Sequence, residues 1–268
     1  MPITQAVTDH SQQTASLAIE LEAAERDRAP VQPISARVPG FSLEQAYAVQ
    51  SAVIGRRLAG GAQLVGHKVG LTNVAMQKQL GVDEPDFGRL LDDMEIAADG
   101  EISMATLIQP RIEPEIAFIL GSSLVGPGVT MADVLAATEA VAPVLEIIDS
   151  RIADWRITLV DTVADNASSS RFVLGPRRAV GSLDLAEIEG RLEVDGTSVG
   201  SGVGAAVLGH PAAAVAWLAN SLAAFGESLA AGEVIIPGAL CASVPLVVGS
   251  TFRAEIGDLG AVTVKAVA

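Results

Sequence analysis

The decapeptide Arg111–Leu120, RIEPEIAFIL, constrains the fold of this chain more than any other segment. Side chains alternate along a strand, so Ile112, Pro114, Ile116, Phe118 and Leu120 share one apolar face. Glu113 and Glu115 then stand on the other face beside Ala117 and Ile119. Carboxylates at i and i+2 are about 7 Å apart at Cα, close enough for long side chains to converge on one cation. A second strand, Val144–Ile148, is a nearly unbroken apolar run with Glu146 inside it. A lone carboxylate there loses its hydration and must be neutral, paired or bound to a metal. Three glutamates with no softer ligand nearby describe a hard-cation site for Mg²⁺ or Mn²⁺. The spacing fits a plainer arrangement equally well, with Glu113 and Glu115 on a solvated face and Glu146 paired to an arginine.

The surrounding order is helices first, strands after. Residues 14–28 read as an amphipathic helix with Leu17, Leu21 and Ala24 on one side, and Pro30, Pro33 and Pro39 mark a connector. Ser42 with Gln45 forms a capping-box pattern, Phe41 stands where a hydrophobic staple would, and the helix that follows stops at Gly60-Gly61. Beyond lie a strand at Leu64–Val69, a short helix from Thr72 to Gly81, a loop at 83–88 and a helix begun by Thr130. A hairpin at Asp195-Gly196, a helix carrying Val215, Leu218, Leu222 and Phe225, and a strand-rich tail complete the chain. This is not regular βαβ alternation, and it predicts an α+β fold with residues 1–60 as a helical lobe and residues 61–268 as the body.

Composition removes several function classes. Half of the 268 residues are hydrophobic, ample for a large core. The 32 acidic against 17 basic residues give a net charge of −15, which argues against nucleic-acid and membrane-surface binding. One cysteine, Cys241, excludes an internal disulfide and reads as a buried small hydrophobe, and His10, His67 and His210 lack zinc-ligand spacing. The first 14 residues have neither a basic nor an apolar leader region, and Ala212–Ala219 is too short to span a bilayer, so a cytoplasmic location is expected. So many apolar residues on so acidic a chain point to an oligomer.

Other residues could carry chemistry. Lys68 lies between Gly66 and Gly70 and could anchor a carboxylate or move protons, although an edge-strand lysine that blocks aggregation is the plainer reading. Asp83, Glu84 and Asp86 fall on the expected loop, as a general base or as solvated acids. Asp161 and the run Asp165–Ser170 could bind a carboxylate ligand or form an ordinary polar turn, with Arg151 and Arg156 as counter-charges. The glycine run after Gly200 lacks the βαβ context of a phosphate loop.

The strings GHKVGLTNVAMQ (66–77), DEPDFGRLLDDM (83–94), QPRIEPEIAFIL (109–120), LEIIDSRIADW (145–155) and DTVADNASS (161–169) resemble the 2-keto-4-pentenoate hydratase family. This is the hydratase/decarboxylase branch of the fumarylacetoacetate hydrolase superfamily, and the likeness runs from about Phe41 to the C-terminus. The resemblance implies a mixed β-roll body, one Mg²⁺ or Mn²⁺ on Glu113, Glu115 and Glu146, catalytic roles for Lys68 and Asp86, and Ser168 lining the substrate pocket. It also implies homo-oligomers built as pentamers or decamers, and association with a partner enzyme in meta-cleavage of aromatic compounds. The implied reaction adds water to 2-hydroxypenta-2,4-dienoate, or a substituted analogue, giving 4-hydroxy-2-oxopentanoate. Asp86 favours this hydratase over a 4-oxalocrotonate decarboxylase, whose matching position is commonly not acidic. Ser170-Arg171-Phe172 resembles the decarboxylase pattern instead, and Arg171 could recognise a second substrate carboxylate. An acylpyruvate-type hydrolase ranks lower, because the sequence identifies no glutamate partner for His67 or His210. A catalytically silent partner subunit would have no need to keep the three glutamates beside Lys68.

Overall fold

Capping chemistry sets the helix ends where the sequence places it. The structure, a computed structural model, describes residues 2–73, 77, 82 and 84–268. Helices α1 (Pro2–Asp27), α2 (Ile34–Arg37) and α3 (Leu43–Ala59) precede strands β1 (Leu64–Gly70), β2 (Asp86–Leu91), β3 (Glu95–Ile96) and β4 (Glu101–Ser103). After β5 (Arg111–Leu120) come α4 (Met131–Ala137), β6 (Thr138–Ile148), α5 (Leu159–Ala164) and β7 (Ser169–Leu174). The chain continues with β8 (Glu189–Val194), β9 (Thr197–Val203), α6 (Pro211–Leu222), β10 (Val234–Ile236), β11 (Val244–Pro245), β12 (Thr251–Ile256) and β13 (Gly260–Val267). The helix expected from Thr72 to Gly81 lies mostly outside the described residues, and Asp83 lies outside them.

Ser42 and Gln45 exchange side-chain and backbone hydrogen bonds at the start of α3, and Thr130 with Asp133 does the same for α4. Leu17, Leu21 and Ala24 are buried as their spacing requires, although α1 begins well before residue 14. Pro211 occupies the first turn of α6, and Gly226, at φ 71°, takes the left-handed position after its last turn. The segment Gly204–Phe225 around α6 is, among the described residues, the one helix long and apolar enough to cross a membrane, with half of the apolar window buried in the protein.

β5 lies inside an eight-stranded mixed sheet of order β2-β1-β10-β5-β6-β7-β3, with β11 also paired to β5. A five-stranded sheet of order β4-β13-β12-β8-β9 packs against it. The alternation along β5 divides the core. Ile116, Phe118 and Leu120 pack beneath the helices with Tyr47, Val215 and Leu218. Ile112, Leu145, Ile147 and Val173 meet Phe252, Ala254 and Val264 of the second sheet. The opposite face presents Ala117, Ile119, Ala142, Val144, Phe172, Val234 and Ile236, which cluster with Leu90, Leu91 and Met94. Leu90 and Phe172 come from strands near opposite edges, so the large sheet is rolled around this third cluster. Each large side chain fully buried there contributes about 2 kcal/mol. This is the expected α+β architecture with a mixed β-roll.

The inner face of the roll is sorted by polarity along its strands. On β5 it runs from Ile119 and Ala117 to Glu115, Glu113 and Arg111, and on β6 from Ala142 and Val144 to Glu146. On β1 and β2 it runs from Gly66 and Leu90 to Lys68, Gly70, Gly88 and Asp86. One end is hydrocarbon, and the strand-borne charges gather at the other.

Candidate active site

Strand register brings the three glutamates together. Glu113 stands directly opposite Glu146 across β5 and β6, and Glu115 follows two residues on. Carboxylate oxygens from all three lie within 4.8 Å of one another. Like charges placed directly across a sheet are destabilising. Glu115 and Glu146 are buried, and Glu115 Oε1 and both Glu146 oxygens have no hydrogen-bond partner. The remaining Glu115 oxygen accepts the Gly238 backbone N–H. Burial, then the Glu146 charge, pushes the Glu113 carboxyl up to about 8, and the same causes hold Glu115 well above the usual carboxylate range. Orphaned hard oxygens converging on one point fit a hard divalent cation.

Lys68 and Asp86 close the other side of this space. β1 runs between β2 and β10, so Lys68 is not the edge-strand lysine of the plainer sequence reading, and it is buried. Its Nζ lies 3.5 Å from Glu146 Oε1 and donates to the Ala167 carbonyl at 3.1 Å. Burial alone would lower its pKa, but the charges of Glu146, Asp86, Glu113 and Glu115 outweigh that and raise it, so Lys68 stays an ammonium. Asp86 is not on a loop. It begins β2, paired with Gly70, because the DFGRLL stretch docks antiparallel on β1. Burial raises the Asp86 carboxyl above its ordinary range against the pull of Lys68, and its Oδ1 has no partner. The two glycines around Lys68 make room. A Cβ at Gly70 would lie 2.2 Å from Asp86 Oδ1, and one at Gly66 would lie 1.9 Å from the Val234 carbonyl oxygen.

The Lys68 carbonyl partner sits on a strained turn. Asn166, Ala167 and Ser168 have φ of 54°, 52° and 54°. Left-handed backbone costs residues such as Ala and Ser roughly 1–2 kcal/mol each. Neighbouring side chains hold the turn in place. Asn166 Oδ1 accepts the Arg89 N–H at 2.8 Å and its Nδ2 donates to the Arg89 carbonyl at 2.9 Å. Ser168 Oγ is buried without a partner beside this turn.

The other candidates do not join the trio. Arg171 sits opposite Ile147 while its neighbour Phe172 sits opposite Glu146, so Arg171 projects from the outer face of β7. Its Nη1 donates to the Ser170 carbonyl at 2.8 Å and lies 3.8 Å from Glu25 of α1. Asp165 accepts from Ser150 Oγ, Arg151 N and Arg151 Nε, and the remaining Arg151 N–H groups reach the carbonyls of Asp149, Ser169 and Asp165. Asp161 caps α5 through Thr158 and also binds Ser35. Cys241 is half-buried, not fully buried.

Several groups at the site carried no sequence signal of their own. The Gly238 N–H and the Ala167 carbonyl are backbone atoms, and the Thr162 hydroxyl, which favours ionised Asp86, lies on α5. Arg111 was legible by parity, since it shares the inner face with Glu113. His67 does have a glutamate partner, with Nδ1 3.2 Å from Glu233 Oε2, but the pair faces away from Lys68 by strand alternation.

Comparison with known proteins returns the same region. The family model for the fumarylacetoacetate (FAA) hydrolase C-terminal domain matches residues 69–267. The 2-hydroxyhexa-2,4-dienoate hydratase of Comamonas testosteroni is 48% identical over 236 residues, covering 87% of this chain and 89% of that protein. The 2-keto-4-pentenoate hydratase of Paraburkholderia xenovorans is 44% identical over 256 residues, 94% of each chain. Among solved structures, 4-oxalocrotonate decarboxylase from Pseudomonas putida G7, complexed with magnesium and adipate, superposes with a TM-score of 0.94 at 37% identity, covering 96% of this chain and 98% of that one.

Proposed function

This chain belongs to the fumarylacetoacetate hydrolase family, and on that premise we propose that it is a hydro-lyase of its hydratase branch. It adds water to 2-hydroxypenta-2,4-dienoate or a substituted analogue, giving 4-hydroxy-2-oxopentanoate or the matching product. The observation that carries this reading is the convergence of Glu113, Glu115 and Glu146, with orphaned oxygens, beside Lys68 and Asp86. The three glutamates would hold Mg²⁺ or Mn²⁺, and that ion supplies a Lewis acid for enol–keto chemistry at a 2-oxo acid.

The chain's own groups do the rest. Lys68, whose Nζ lies 3.5 Å from Glu146 Oε1, donates a hydrogen bond to the substrate's C2 oxygen. The 2-hydroxyl loses its proton and C5 gains one, which converts the dienol to 2-oxopent-3-enoate. Water then adds at C4, and C3 takes a proton. Asp86, whose carboxyl is held above its ordinary range, is the group that holds and passes these protons. Ser168 Oγ, buried and unpartnered, lines the pocket. A homo-oligomer fits exposed Val125, Val247 and Val248, and sedimentation measures it; a cytoplasmic location belongs to the same reading.

The superposition on a decarboxylase supports a second reading, loss of CO₂ from 4-oxalocrotonate. One experiment separates them. EDTA-stripped protein is given each substrate with and without Mg²⁺, following ultraviolet loss of the conjugated chromophore together with CO₂. Metal-dependent loss of the dienoate without CO₂ establishes the hydratase. CO₂ from 4-oxalocrotonate makes the decarboxylase the answer.

A further inference from the structure

The inner face carries two strand-borne cations, Lys68 and Arg111, held in different ways. Lys68 is ringed by carboxylates. Arg111 makes no ion pair among the described residues, although Glu113 stands two positions away on the same face. Its Nε donates to Ser243 Oγ at 2.9 Å and its Nη2 to the Ser243 carbonyl at 2.6 Å. That grip fixes the guanidinium plane and leaves Nη1 without a partner among the described residues. Ser243 is itself anchored, because the next residues, Val244 and Pro245, pair with Ile112 and Arg111 in β5. An arginine held by a neutral serine beside unpaired carboxylates is preorganised for an anion that the chain does not supply.

Charge at the polar end points the same way. Asp86, Glu113, Glu115 and Glu146 surround Lys68 there, so acidic side chains outnumber cations at this end, and Arg111 is the cation left to meet an anionic substrate.

We propose that Arg111 receives the substrate's C1 carboxylate and so fixes which way round the diene lies; this rests on the reading above that the substrate is a 2-hydroxy dienoate. Arg111 on β5 and Asp86 on β2 are separated in the sheet by β10 and β1, the strand that carries Lys68. A carboxylate at Arg111 turns the far end of the diene toward Asp86, where C3 and C5 need protons. The opposite polarity would set carboxylate against carboxylate.

The test compares wild type, Arg111→Met, Arg111→Lys and Ser243→Ala on 2-hydroxypenta-2,4-dienoate and 4-oxalocrotonate. Calorimetry adds Mg²⁺ binding to substrate-free protein and oxalate binding to Mg²⁺-loaded protein. Losing a charge-assisted hydrogen bond predicts that Arg111→Met raises KM for both substrates and weakens oxalate by about 10- to 100-fold. In that outcome kcat changes less than KM, and Mg²⁺ affinity stays within about threefold, which also reports an intact fold. Arg111→Lys recovers part of the loss, and Ser243→Ala, which frees the cation without removing it, falls between. Unchanged KM and oxalate affinity, or a loss confined to 4-oxalocrotonate, overturns the proposal. If wild type turns over neither substrate, the reaction proposed above fails, and the oxalate titration still decides the role of Arg111.

Discussion

Two groups of acids lie buried on either side of the 166–168 turn. Glu115, Glu146 and Asp165 are 1%, 0% and 2% exposed, so burial does not distinguish them. Their partners do. Asp165 is wrapped by Ser150 and Arg151, and burial lifts its carboxyl only to about 6, opposed chiefly by the Arg151 charge. The trio has one backbone N–H and a nearby ammonium, and Glu113 rises to about 8. Asp165 therefore stays ionised at neutral pH as part of the scaffold, while Glu115 and Glu146 keep oxygens without partners. Unmet hydrogen bonding, more than burial, separates the two groups.

The sharpest way to break that contrast is to neutralise one acid of the trio. Glu146→Gln should lower turnover at saturating Mg²⁺ by at least about 1,000-fold, roughly 4 kcal/mol, while circular dichroism stays that of wild type. Activity within tenfold of wild type would remove the trio from the chemistry. Next in size, Arg151→Met leaves ionised Asp165 buried without its partner and should cost about 3–5 kcal/mol in a urea melt. Adding Asp165→Asn to that variant should recover part of the loss, and no recovery would mean that the pair is not the unit described.

A smaller effect comes from pH. A carboxyl whose folded pKa is raised, as for Glu113 at about 8, stabilises the fold below its ordinary titration range and loses that contribution as pH climbs through 8. Metal-free protein should therefore melt a few degrees lower near pH 8.5 than near pH 6, with Mg²⁺ raising the melting temperature more at the higher pH. Equal Mg²⁺ increments at both would contradict the assignment. Smallest is a difference of sign. Glu146→Gln should stabilise the metal-free protein by up to about 1 kcal/mol by relieving like-charge repulsion, whereas Asp165→Asn should destabilise it. Matching signs in parallel denaturant titrations would erase the distinction.

Much of this was readable from short-range pattern. The β5 alternation, the glutamate inside β6, both capping boxes and the α6 ends depend on residues within a few positions of one another. What was not readable depends on pairing across long separations. Asp86 looked like a loop acid because its strand character comes from docking on β1, and Lys68 looked like an edge residue because β2 and β10 flank it from elsewhere in the chain. The face taken by Arg171 depends on the register of β7 against β6, which shifts between Ile147 and Ile148. Nothing local separates Asp165 from Glu146, since a saturating arginine differs from a distant one only in three dimensions.

Gly66 and Gly70 carry a consequence for how the chain can drift. Neither bears a functional group, yet a methyl at either would enter the Val234 carbonyl or the Asp86 carboxylate. In a saturation library scored for catabolic growth, both positions should be as intolerant as the glutamates, with the Gly70 variants still folded. Such a screen would invite a catalytic label for Gly70, although what is preserved there is the place taken by the Asp86 carboxylate.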